Sequence, residues 1–279
     1  MTQKKLLYIM LPVGLIGVIL GSFFDLSLSQ AVCNQESMYG IILAGFGQVP
    51  CMLAFLASAA LAVASFDKEK LPQSIAMLIL AVLDLIATKL YFDDCYDNFK
   101  NKVLATVICI AICMAFTVFV YVFVDKSNKD RLRKIALFLF LTPLLVYVVY
   151  ELIKQFRGRP RYRMIITRDD ISFENWWDFS STVKSQYADV IAKDEFKSFP
   201  SGHVASAAAI LILPVLGKVV EPLRKRENIL FVICAIFPIL VAFARIVTGA
   251  HFLSDVSFGL IVAIVVMLIM EKIFKYDEL

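Results

Sequence analysis

The sequence predicts an all-α protein, a polytopic bundle of about eight transmembrane helices in a single domain. Three observations predict it. Hydrophobic residues make up 60% of the 279 and charged residues only 19%, with mean hydropathy +0.77, well past the roughly half-apolar composition of a soluble domain. The apolar residues gather into runs long enough to cross a hydrocarbon core, which takes about 20 helical residues. Short polar connections separate those runs, and alternate connections are rich in Lys and Arg.

The first run, Leu6–Leu28, follows Lys4 and Lys5. It is too long for the apolar region of a signal peptide and lacks a small-residue cleavage site, so it is expected to stay as a membrane helix. Gly17 and Gly21 stand in it at GxxxG spacing, and the second run, Tyr39–Phe66, carries the small-residue stretch "ASAALAVAS"; both suit close helix packing in lipid. The third run, Leu71–Phe92, contains Asp84. A carboxylate inside a span costs about 2.5–3.5 kcal/mol on insertion scales, so Asp84 is expected to face protein, in a structural role or in a polar pathway. Lys89 stands five residues on, a poor helical spacing for neutralising it, and could snorkel instead. Val103–Val124 and Ile135–Ile153 complete the first five spans.

A connection of about 50 residues follows, long enough to expect a functional role. Within it Trp176 and Trp177 suit the headgroup zone, on a short interfacial helix, as an aromatic anchor. The last three runs are Val204–Val220, Ile229–Val247 and Leu253–Phe274. Pro12, Pro50, Pro143, Pro214 and Pro238 fall inside apolar runs, where kinks are expected. No repeat or linker divides the chain, so residues 1–279 read as one membrane domain.

The basic connections set an orientation. Lys4 and Lys5, the "DKSNKDRLRK" loop at Asp125–Lys134 and the "EPLRKREN" loop at Glu221–Asn228 share one side, assigned to the cytoplasm by the positive-inside rule. The "DDCYDN" loop and the Lys154–Gly202 segment fall on the other. That segment breaks the rule, since "KQFRGRPRYR" is strongly cationic. An anion-binding role would account for it. The overall balance, 28 basic against 24 acidic residues, says little by itself, and no nucleic-acid partner is expected. Among the six cysteines none shows metal-ligand spacing. Cys51, Cys109, Cys113 and Cys234 read as small packing residues, whereas Cys33 and Cys95 fall in outer connections, as a disulfide or as two thiols.

Three clusters carry chemistry, and the topology places all of them on the outer side. The first is Lys154-x6-Arg161. In the second, "PSGH" at Pro200–His203, Ser201 suits a helix N-cap and Gly202 lets backbone N–H groups approach an anion at a helix start. The third is Arg245-x5-His251-x3-Asp255. If the chain after Gly249 is helical, His251 and Asp255 form an i, i+4 pair in which the carboxylate holds the imidazole in one tautomer, leaving the other nitrogen as base or nucleophile. The planar fork of Arg245 suits a phosphoryl group. The second and third clusters also have plainer readings: a capping turn for the second, an interfacial His–Asp pair and a snorkelling arginine for the third.

Together the clusters, "KQFRGRPRY", "PSGH" and "ARIVTGAHFLSD", resemble the type 2 phosphatidic acid phosphatase superfamily, integral-membrane lipid phosphatases related to vanadium haloperoxidases. The family pattern is Lys-x6-Arg-Pro, Pro-Ser-Gly-His and Ser-Arg-x5-His-x3-Asp; Tyr162 and Ala244 depart from it, where the family has proline and serine. The resemblance implies that His251 attacks phosphorus, that Asp255 orients it, and that His203 protonates the leaving oxygen. Lys154, Arg161, Ser201, Gly202 and Arg245 would bind phosphate. It implies no metal and no cofactor.

It further implies a six-helix core over residues 71–279 with extra N-terminal helices over 1–70, and an extracytoplasmic active-site loop, 154–203. The partners expected are the lipid bilayer and a membrane lipid phosphate: undecaprenyl diphosphate, phosphatidate or phosphatidylglycerol phosphate. The expected function is therefore a cell-membrane phosphatase acting through a phosphohistidine. A phosphotransferase using the same site, or an anion or lipid transporter, is the alternative; terminal "YDEL" only loosely resembles a retrieval signal.

Overall fold

A computed structural model describes residues 3–97, 101–180, 183–187 and 189–279. Twelve α-helices run in chain order among these residues: α1 (Gln3–Val32), α2 (Met38–Phe46), α3 (Val49–Ala64), α4 (Leu71–Asp97), α5 (Lys102–Phe123), α6 (Lys129–Arg157), α7 (Tyr162–Ile165), α8 (Val183–Gln186), α9 (Gly202–Ala207), α10 (Glu221–Arg224), α11 (Glu227–Val247) and α12 (Leu253–Ile273). Seven helical segments are long and apolar enough to cross a membrane. The second of them joins α2 to α3 across a break at Gly47 and Gln48.

The sixth expected span, Val204–Val220, is different in kind. It is α9 continued by a 3-10 stretch, Ala208–Lys218, shorter in residues than the others. Because a 3-10 turn rises about 2.0 Å per residue against 1.5 Å in an α-helix, this segment still reaches roughly 30 Å, the thickness of a hydrocarbon core. It is buried along most of its length. Small side chains (Ala205, Ala207, Ala208, Ala209) let neighbours close around it.

Helix α3 is the other central element. The alanine-rich run is buried on nearly all sides, with α4, α5 and α6 packed around it, and Ser58 donates to the Ala136 carbonyl of α6 at 2.9 Å. Helix α1 lies along α12 through its glycine stripe: a Cβ on Gly17 would collide with Ser257, and one on Gly21 would meet the Ser254 backbone. Pro50 sits in the first turn of α3, where its missing N–H costs nothing, so the expected interior kink there is a helix start. Asp84 is fully buried against protein with neither oxygen hydrogen-bonded. Lys89 does not serve it; it pairs with Asp93 at 2.6 Å, one turn on and exposed.

The connections segregate to two ends. At one, Val124 bridges Val220, Lys70 pairs with Asp130 at 2.8 Å, and Arg131 donates to the Leu279 carbonyl. At the other lie the loops 33–37, 158–200 and 248–252, tied together by Asn34 N–H to Val247 carbonyl (2.7 Å) and Arg163 N–H to Gly249 carbonyl (2.8 Å). Cys33 is a free thiol at that end, and the Cys95 side chain lies outside the described residues. Trp176 does not lie on an interfacial helix. It stacks on Phe199 at 5.6 Å and donates from Nε1 to Ser22 at 3.0 Å, clamping the long loop to the bundle, while Trp177 is half-exposed.

Candidate active site

Helix α6 ends at Gly158, whose φ of +60° is a left-handed cap that favours glycine, with its N–H on the Lys154 carbonyl at 3.2 Å. The cap reverses the chain, so that Arg159 and Arg161 return over Lys154. Backbone bonds hold them there: Ser198 N–H donates to the Arg159 carbonyl at 3.0 Å and Arg161 N–H to the Glu195 carbonyl at 2.9 Å. The run "SFPS" is thereby laid beside the first cluster.

Ser201 caps α9, its hydroxyl accepting from Val204 N–H at 3.4 Å. Its own N–H donates to the Asp255 carbonyl at 2.9 Å, which ties the second cluster to the third. Gly202 packs where no side chain fits: a Cβ would stand 2.7 Å from Lys154 Nζ and 2.8 Å from the Tyr150 ring. The spacing thus brings the lysine ammonium onto the helix start, as an anion site needs.

In the third cluster Arg245 closes α11, and its carbonyl accepts from both Ala250 N–H (3.1 Å) and His251 N–H (3.2 Å). His251 is not helical; α12 begins two residues later, at Leu253. The i, i+4 pair therefore meets by another route. The imidazole Nδ1 bonds the Ser198 carbonyl at 2.6 Å, while the Asp255 carboxylate lies 3.9 Å away. Asp255 instead accepts from Ser198 Oγ (2.5 Å), Phe252 N–H (2.8 Å) and Arg159 (2.5 Å). Tautomer control passes through Ser198, which the carboxylate holds.

A cavity of about 420 Å³ is lined by Lys154, Arg161, Gly202, His203 and His251 together with Phe55, Leu90, Tyr91, Leu144 and Tyr147. Both histidines face one space. Arg245 and Ser201 do not line it; Ser201 acts through its cap, and Arg245 is the strongest charged neighbour of both rings. Burial, then Arg245, Arg161 and Lys154, hold the His251 imidazole well below its ordinary pKa. Burial and those cations favour the neutral ring, whose Nε2 carries a lone pair once Nδ1–H is committed to Ser198. Lys154 reaches Glu151 at 3.1 Å and Arg161 stands 3.7 Å from Asp194.

The other cations of "KQFRGRPRYR" have a different use. Arg157 pairs with Glu174 at 2.9 Å, Arg163 pairs with Glu195, and Arg159, fully buried, bridges Asp255 and Asp25. Only part of the cationic excess is therefore aimed at the cavity. Asp25, Arg159, Ser198 and Gln48, whose amide lies 3.2 Å from His203, were not singled out by sequence. A buried carboxylate near the end of an apolar run was the one signal available for Asp25. Tyr162 packs edge-on against Phe252 at 6.0 Å and Ala244 is fully buried, so both departures from the family pattern are packing residues. No cluster of three or more His, Cys, Asp and Glu capable of holding a metal occurs among the described residues.

Comparison with known proteins gives the same direction. Bacillus subtilis (strain 168) phosphatidylglycerophosphatase B is 32% identical over 102 residues, covering 34% of this chain and 50% of that protein. The chain spans about half the length of this curated relative. No solved structure matches. The family model described as the PAP2 superfamily matches residues 132–278, just over half of the chain and all three clusters, and the chain belongs to that superfamily.

Proposed function

We propose that the protein is a membrane lipid phosphatase that cleaves a phosphate or diphosphate ester through a phosphohistidine at His251, without a metal ion. The observation that carries the proposal is the convergence of two imidazoles and two cations, Lys154 and Arg161, on one cavity that is also lined by apolar and aromatic side chains. A phosphate headgroup with a lipid tail has that division of chemistry. The lone pair of His251 Nε2 attacks phosphorus, and the bond to the lipid oxygen breaks as that oxygen takes a proton from His203. Water then attacks the phosphohistidine, the P–N bond breaks, and His203 recovers its proton from the water. Lys154 and Arg161 offset the charge on the equatorial oxygens, and Arg245, outside the cavity lining, adds its field.

The relative's name makes phosphatidylglycerol phosphate a first substrate to test, with phosphatidate and undecaprenyl diphosphate beside it. The site lies at the end away from the basic loops, which supports an extracytoplasmic face in the cell membrane. The test is phosphate release by purified protein from the three lipids in EDTA, with no acceptor added. His251→Ala is expected to lose at least about a thousandfold in kcat, as removal of a nucleophile does elsewhere. Orthovanadate, which adopts five-coordinate geometry, is expected to inhibit. Turnover that survives His251→Ala, or that needs Mg²⁺, overturns the scheme.

A further inference from the structure

We infer that Gln48, at the break between α2 and α3, is a positioning residue for His203 that holds the ring whose proton goes to the leaving oxygen. The inference rests on the hydrolytic reading above and adds a residue from outside the segment matched by the family model.

The second span does not run straight. Helix α2 ends at Phe46 and α3 starts at Val49, leaving Gln48 at the interruption, 4% exposed, where an unmatched carboxamide would be costly. Its Nε2 lies 3.2 Å from His203 Nε2, and it lines the cavity shared by both histidines. The backbone of Ala44, one turn earlier, also hydrogen-bonds the His203 ring. The ring is thus met from the last turn of α2 and from the break that follows it.

A carboxamide suits this place because it carries two donors and an acceptor. Its NH₂ can donate to the neutral ring, and after rotation its oxygen can accept from the charged one. The ring is thus held in both protonation states that the two half-reactions need. The charged groups facing His203 are Arg245 on α11, Lys154 on α6 and Arg161 in the loop that follows, with His251 beyond. A carboxylate at position 48 would engage those cations and compete with phosphate; the neutral amide orients without competing.

The experiment compares two leaving groups on the full-length protein in detergent. Phosphatidate releases an alkoxide that needs a proton, whereas p-nitrophenyl phosphate releases a stable phenolate that does not. In single turnover, which reads the first half-reaction alone, Gln48→Leu is expected to slow phosphohistidine formation from phosphatidate by about 10–100-fold, part of the 10²–10⁴ that a general acid supplies, and to leave its formation from p-nitrophenyl phosphate within about threefold. Gln48→Glu should raise KM for both and move the alkaline limb of the phosphatidate profile to higher pH, because an adjacent carboxylate favours the imidazolium. Gln48→Asn, close in size and polarity, should recover part of the activity and guards against a folding failure in the leucine variant. Equal losses on both substrates with an unmoved pH profile would reduce Gln48 to a packing residue and overturn the inference alone. Absence of wild-type turnover on both would overturn the hydrolytic reading, and this inference with it.

Discussion

His251 illustrates how a single residue is prepared by its surroundings. Its Nδ1 is committed to the Ser198 carbonyl, and burial together with Arg245, Arg161 and Lys154 keeps the ring from taking a proton. The folded protein therefore binds that proton only below the ordinary histidine value of about 6.5. Activity that needs neutral His251 should persist as pH falls through 6.5 and be lost lower. Arg245→Gln removes the strongest of the charged causes, so its acid limb should move up toward 6.5, while kcat falls by about 10²–10³ with the loss of transition-state charge stabilisation. The measurement is kcat/KM against pH for both proteins; a wild-type acid limb above 6.5 contradicts the account. Sequence spacing placed His251, His203, Lys154 and Arg161 on one face because short motifs anchor to helix ends. It could not place Ser198 or Gln48, since their bonds to the histidines span 53 and 155 residues, and nothing local marks such a partner.

At the scale of elements, α1 does more than add a span. Its glycine stripe brings the backbone onto α12, and that contact delivers Asp25 to the start of α12. There the carboxylate accepts from Ser254 N–H at 2.8 Å and from the Ser254 hydroxyl, and pairs with Arg159 at 2.9 Å. Asp25 caps a helix to which it is not connected, satisfying an orphan donor and complementing the dipole. Arg159 then spans the gap to Asp255, at 2.5 Å. Removing one partner of a buried pair leaves an uncompensated charge, so Asp25→Leu should cost about 3–5 kcal/mol of stability. Asp25→Asn, which keeps an acceptor for Ser254, should cost less. Thermal unfolding in detergent measures both, and a neutral Asp25→Leu would show that the pair is dispensable. The GxxxG spacing and the small-residue run of α3 were readable as packing surfaces. The identity of their partners was not, because apolar helices in lipid carry no sequence label for a neighbour. The 3-10 continuation of α9 was equally hidden, because its composition is that of any apolar helix.

Over the whole molecule, the two ends differ in how their charges are used. At the far end Lys4 and Lys5 open α1, and Lys126, Arg224, Lys225 and Arg226 stand in short connections, the arrangement expected of a cytoplasmic face. At the site end the stretch 154–163 is also cationic, yet Arg157, Arg159 and Arg163 are each matched by a carboxylate, so little of its charge is left as an orientation signal. Hydropathy marked the seven helices among the described residues that are long enough to cross, and the short loops supply an expected direction; the long loop looked like an exception only until its ion pairs were placed. The orientation can be read directly with two single cysteines, in a chain whose Cys33 and Cys95 are replaced by serine. Asp169→Cys stands exposed beside the site and Ser127→Cys stands exposed at the far end. A membrane-impermeant maleimide applied to intact cells should label Asp169→Cys alone, and both after permeabilisation, with each variant retaining phosphate release. Labelling of Ser127→Cys alone in intact cells would turn the bundle over, and with it the side from which the lipid phosphate reaches His251.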